Sequence, residues 1–114
     1  MTIALVLFAL AAVGGLTMAV MRFKGRPQPP LPLALIHGGA AAAGLIALIV
    51  AVSSGAASRL PLVALILFIG AALGGFLLFS HHLRKLALPM GLMVIHALVA
   101  VTAFVILLVA ALSS

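Results

Sequence analysis

The sequence predicts an all-α integral membrane protein, a four-transmembrane-helix bundle built from two parallel helical-hairpin repeats, with residues 1–114 forming a single membrane domain. Three observations carry that prediction. Of the 114 residues, 68% are apolar and 5% are charged; a soluble domain carries about 25% charged residues, and a chain this small cannot hide so much apolar surface from water. The apolar residues fall into four runs of the ~20 residues that a spanning helix needs. The two halves of the chain also match each other at a nearly constant offset.

The first run covers residues 3–21. It has no cation near Met1 and ends in Arg22, Lys24 and Arg26, which reads as a stop-transfer span rather than a cleaved signal peptide. RFKGRPQPP (22–30) leads to the second run, 31–53. SGAASR (54–59) leads to the third, 60–80, and SHHLRK (80–85) to the fourth, 88–112. Strand alternation is absent, which argues against a β-barrel, and short connections make successive helices antiparallel neighbours. Five cations lie in loops one and three, and Arg59 alone in loop two. The positive-inside rule then puts loops one and three in the cytoplasm and both termini outside, in a bacterial-type inner (plasma) membrane. The formal charge of +6 reads as this topology signal and not as a nucleic-acid surface.

Whole classes of chemistry are excluded. There is no Cys, Asp or Glu. Disulfides, iron–sulfur clusters and thiolate zinc sites are therefore ruled out. So are carboxylate acid–base pairs, carboxylate nucleophiles and side-chain sites for Mg²⁺ or Ca²⁺. An aqueous channel has little to line it, because the spans hold few polar groups beyond Thr17, Thr102 and the histidines.

Residues 5–15 (LVLFALAAVGG) lie over 65–75 (LILFIGAALGG) with seven of eleven identical at an offset of 60, and His37 and His96 follow at an offset of 59. Repeat 1 is 1–54 and repeat 2 is 60–114. Two spans per repeat return the chain to the same side, so the repeats are parallel and related by an axis along the membrane normal. His37 and His96 become mates at similar depth, ~9 Å inside Leu31 and ~12 Å inside Leu88. Ionisable residues at such depth are expensive and mark function by default.

Two imidazoles facing across a bundle suit the axial positions of one haem iron. Gly14, Gly15, Gly74 and Gly75 lie at the depth where missing side chains would admit a flat ring. Arg22, Arg84 and His82 lie at the near end, where they would meet the propionates; Arg gives the strong form of that contact. Each piece also has an ordinary packing explanation, in small-residue contacts and interhelical histidine bonds. Copper held by His with Met18, Met21, Met90 or Met93, and a chlorophyll-type pigment on each histidine, remain open.

This pattern resembles small four-helix membrane b-type cytochromes, the cytochrome b561 class in architecture, and the haem-bearing anchor subunits of respiratory complexes. The resemblance rests on His37, His96 and the glycine pairs. It implies one haem b per chain, bis-histidine ligation, one-electron transfer, and exchange with a quinone or a redox partner subunit, alone or as a homodimer. It makes the chain an electron-transfer protein more than a stand-alone enzyme. The b561 class holds two haems on four histidines, one near each face; here the outer half of the spans has no histidine, so a second bis-histidine haem is excluded. Small multidrug transporters are of similar size, but their proton coupling uses a membrane carboxylate that this chain lacks. The competing function is a cofactor-free accessory or assembly subunit packing in a larger membrane complex.

Overall fold

The structure is a computed structural model that describes residues 1–55 and 59–113. Residues 56–58 of the expected second loop, and Ser114 at the end of the second repeat, lie outside the described residues. Four helices form: α1 (Thr2–Phe23), α2 (Leu31–Ser53), α3 (Leu60–Leu83) and α4 (Met90–Leu112). Each is long and apolar enough to cross a membrane, and there is no strand among the described residues.

The boundaries follow backbone chemistry more closely than hydropathy. α1 runs two residues past the expected end, and α3 runs through Ser80, His81 and His82, which were expected in the loop. A polar side chain does not stop a helix; a backbone that leaves the right-handed region does. Gly25, at φ +97°, donates its N–H to the Arg22 carbonyl, and Arg26 donates to Met21, the pair of bonds that closes a helix with glycine just past its end. α4 starts at Met90, two residues later than the apolar run, because Pro89 is its N-cap. His37 and His96 therefore both stand six residues inside their helices, about 9 Å from the start of each.

α1 packs on α2 and α3 on α4 as two hairpins, and the hairpins meet through α2–α3 and α1–α4. The termini and Arg59 fall at one end. The other end carries both basic loops, which are hydrogen-bonded to each other: Leu88 N–H donates to Pro27 (3.1 Å), Gln28 Nε2 to Leu86 (2.8 Å), and Arg22 Nε to Leu88 (3.0 Å). The outer surfaces of the helices are mostly apolar; Leu16, Phe76 and Leu112 are 68, 71 and 80% exposed. A helix apolar on every side belongs in a low-dielectric surround.

Buried contacts form two layers. Toward the termini, Ala4, Phe8, Leu48, Ala64, Phe68, Ala103 and Leu107 make one cluster; toward the basic loops, Leu78, Leu88 and Met93 make a second. Phe8 and Phe68 stack across the α1–α3 diagonal with centroids 3.7 Å apart and planes within 1°. Aromatic quadrupoles disfavour that face-to-face geometry, so the stack is imposed by the small residues that let four helices close around it. The order of buried, half-buried and exposed positions over 37–50 recurs position for position over 96–109.

A Cβ at Gly44 would stand 3.2 Å from three atoms of the Phe8 ring, whereas one at Gly39 would meet nothing within 4 Å. Gly44→Ala is therefore expected to destabilise the bundle by about 1–3 kcal/mol, and Gly39→Ala to be neutral or stabilising. Reversible unfolding of the purified protein in mixed detergent micelles checks both.

Candidate functional site

Between the two apolar layers lies a polar one. His37 on α2 reaches across to α1, where its Nδ1–H donates to the Ala11 carbonyl at 2.6 Å. His96 on α4 does the same to α3, donating Nδ1–H to the Ala71 carbonyl at 2.7 Å. Only the nitrogen can carry the proton in these bonds, because a carbonyl oxygen only accepts. In a neutral imidazole that leaves Nε2 with its lone pair, and among the described residues neither Nε2 has a hydrogen-bond partner. The two ring centroids are 6.3 Å apart, with planes at 79°.

The glycine pairs explain how a side chain can reach a helix carbonyl that already accepts an intrahelical bond. Side chains tilt toward the helix N-terminus, so the residue at i+4 normally covers the carbonyl of residue i. Gly15 stands four residues after Ala11, and Gly75 four after Ala71. Lacking a Cβ, each uncovers the carbonyl beside it. The ring then occupies the gap: a Cβ at Gly15 would lie 2.9 Å from His37 Cε1, and one at Gly75 3.3 Å from His96 Cε1. Gly14 and Gly74 face the same imidazoles near their Cβ, at 3.4 and 3.6 Å. Of the residues singled out from the sequence, these four glycines and two histidines come together. The flat ring that each glycine pair admits is the imidazole itself.

Arg22, His82 and Arg84 sit in the last turn or cap of their helices, away from the imidazole layer. Gly15 and Arg22 are separated by about 10 Å of helix. Arg22 is half-buried and spends its Nε on the Leu88 carbonyl of the opposite loop, while Arg84 is exposed and turns its Nε back to Ser80 at 3.4 Å. His81 donates Nδ1–H to Leu77 of its own helix at 2.8 Å. The His82 ring stacks on Phe79 at 5.9 Å, and its Nδ1 is buried with no partner. Met93 packs with Leu78 and Leu88. A concavity of about 470 Å³ lies at the far end, around Ala4, Ala47 and Ala51, with no histidine in its wall.

Sequence reasoning reads Ala11/Gly15 and Ala71/Gly75 as ordinary small-residue packing pairs and misses that the two alanines are the histidines' partners, because they act through backbone oxygens and carry no chemical signature as residue types. The available signal was spacing, since each alanine precedes the second glycine of its pair by one helical turn. Gly15→Ala is expected to push the His37 ring off the Ala11 carbonyl and to cost about 1–3 kcal/mol. Gly75→Ala, with 3.3 Å available, should cost less and keep the His96 bond. Unfolding in micelles, with imidazole ¹⁵N shifts to report each Nδ1–H, separates the two. Comparison of the chain with protein-family models, with curated proteins and with solved structures yields no match.

Proposed function

We propose that the chain is a membrane-embedded haem protein for one-electron transfer, with one haem b ligated by His37 and His96. The observation that carries this reading is the matched state of the two imidazoles. Each gives its Nδ1–H to a backbone carbonyl, and the ring centroids stand 6.3 Å apart. Metal-ligating histidines almost always donate their second ring N–H in this way, which fixes the tautomer and offers the other nitrogen to the metal. With 6.3 Å between ring centroids, the two imidazoles are near enough to each other to be ligands of one metal. No group of three or more His, Cys, Asp or Glu is present among the described residues. Two donors suit a metal that brings its remaining ligands with it, as haem iron does.

When bound, the haem supplies the one-electron chemistry. The chain's own residues do the rest. Ala11 and Ala71 hold the imidazoles in one orientation, and the glycine pairs give the rings room. The Phe8–Phe68 cluster and the Leu78–Leu88–Met93 cluster keep water out from either side. Arg22, with the guanidinium donors not engaged by Leu88, and Arg84 and His82 at the same end, suit the propionates. The same reading makes the two hairpins parallel repeats, places the basic loops in the cytoplasm, and leaves electron exchange to a quinone or a partner subunit. The recurring burial order over 37–50 and 96–109 supports the repeat.

One observation favours the second reading, a cofactor-free accessory subunit: each glycine gap is already filled by an imidazole. An absorption spectrum decides between the two. The detergent-purified protein, oxidised and then dithionite-reduced, is expected to show a Soret band that shifts on reduction, with one haem per chain by pyridine haemochrome. His37→Ala and His96→Ala should each abolish it, and His81→Ala should not. A colourless protein after expression with ample haem overturns the haem reading and leaves the accessory one.

A further inference from the structure

The C-terminal turns of α1 and α3 are closed by the same pair of bonds. Gly25 donates to Arg22 and Arg26 to Met21; Lys85 donates to His82 and Leu86 to His81. The residue that must turn left-handed is Gly25 in the first case, at φ +97°, and Lys85 in the second, at φ +57°. Lys85 is the one non-glycine residue with positive φ among the described residues. Glycine takes this conformation freely and a lysine does not. The helix dipole does not require a lysine here, since Arg84 already stands at the cap position of the same helix, where a cation serves that purpose. A non-glycine residue held in the left-handed region points toward function when its surroundings offer a reason.

The surroundings offer one. Lys24, Arg26, Arg84 and Lys85 are all exposed, on two loops that are hydrogen-bonded into one platform. The chain has no Asp or Glu to neutralise them, so their counter-ions come from outside. At the end of an apolar bundle the nearby anions are lipid headgroups, which attract clusters of Lys and Arg placed beside spanning helices.

We propose that the end of α3 is a binding site for the phosphate of an anionic phospholipid, with Lys85 and Arg84 as the charged contacts and Lys24 and Arg26 as the flank contributed by the other loop. Arg84 is also a propionate contact in the proposed function, whereas Lys85 is not, so the lipid site is tested through Lys85 whether or not a haem is bound between His37 and His96. The lipid site also explains why the backbone strain at Lys85 is retained where the other hairpin uses glycine.

Native mass spectrometry of the full chain, released from bicelles with equal phosphatidylglycerol and phosphatidylcholine, tests this. Phosphatidylglycerol should be retained in preference. Lys85→Asn removes the charge but keeps a residue that tolerates the left-handed region, and should lower the preference about fivefold, the effect of one surface cation. Lys85→Gly should do the same while raising the melting temperature in phosphatidylcholine alone, which separates lost binding from lost folding. Arg59→Gln, at the opposite end, should leave the preference unchanged. An undiminished preference in Lys85→Asn, no preference in the parent protein, or displacement of the lipid by inorganic phosphate at equal concentration would each overturn the proposal.

Discussion

A histidine inside an apolar bundle must have its N–H satisfied, and with no carboxylate anywhere in the chain the backbone is the partner at hand. An unpaired polar group in such surroundings costs several kcal/mol. Much of the arrangement depends on meeting that demand twice. A helix carbonyl has a second lone pair, but the side chain one turn later normally covers it. Glycine at that position uncovers it, and the notch that results is the size of an imidazole edge. Ala11–Gly15–His37 and Ala71–Gly75–His96 are two copies of one solution. Each bond also ties the second helix of a hairpin to the first, at the level where the apolar core is interrupted.

That interruption organises the packing on either side. Below it, Phe8 and Phe68 meet face to face, a geometry the rings do not favour by themselves. Gly44 admits the Phe8 edge, and Ala4, Ala64 and Ala103 let the helices close around the pair. Above it, Leu78, Leu88 and Met93 seal the layer beneath the loops. Large residues stand in a setting of small ones in both hairpins, so the helices pack closely. In the proposed haem reading the same features hold the ligand nitrogens in place and keep the layer dry.

Charge is separated from all of this. The loop cations lie at the two ends of the bundle, five of them at the end where the loops bond to each other. Arg22 is the exception in kind, since it is half-buried and works as a strut from α1 to the Leu88 carbonyl. The remaining cations of that end face outward. Lys85 does so at the expense of backbone comfort, which the first hairpin avoids with Gly25.

Several features were legible in the residues alone because they depend on composition and period. Four helices follow from four apolar runs separated by Pro, Gly and cations. The pairing of His37 with His96 follows from the offset between the halves. The glycine pairs were visible, but their purpose was not. An empty Cβ site in a sequence says that something comes close without saying what, and only the packed hairpin shows an imidazole lying against Gly15 and another against Gly75. Helix ends were misjudged at α1, α3 and α4 for a related reason. Hydropathy reports where side chains prefer to be, while a helix stops where the backbone turns left-handed or meets proline, as at Gly25, Lys85 and Pro89. What the sequence determined by itself was the set of helices and the exclusion of carboxylate and thiolate chemistry, since both are properties of residue type. The carbonyl partners of the histidines, the joining of the basic loops and the strain at Lys85 were decided by tertiary structure. Each depends on which backbone atoms two distant segments bring within about 3 Å of each other or on a dihedral angle, and neither is written in residue type.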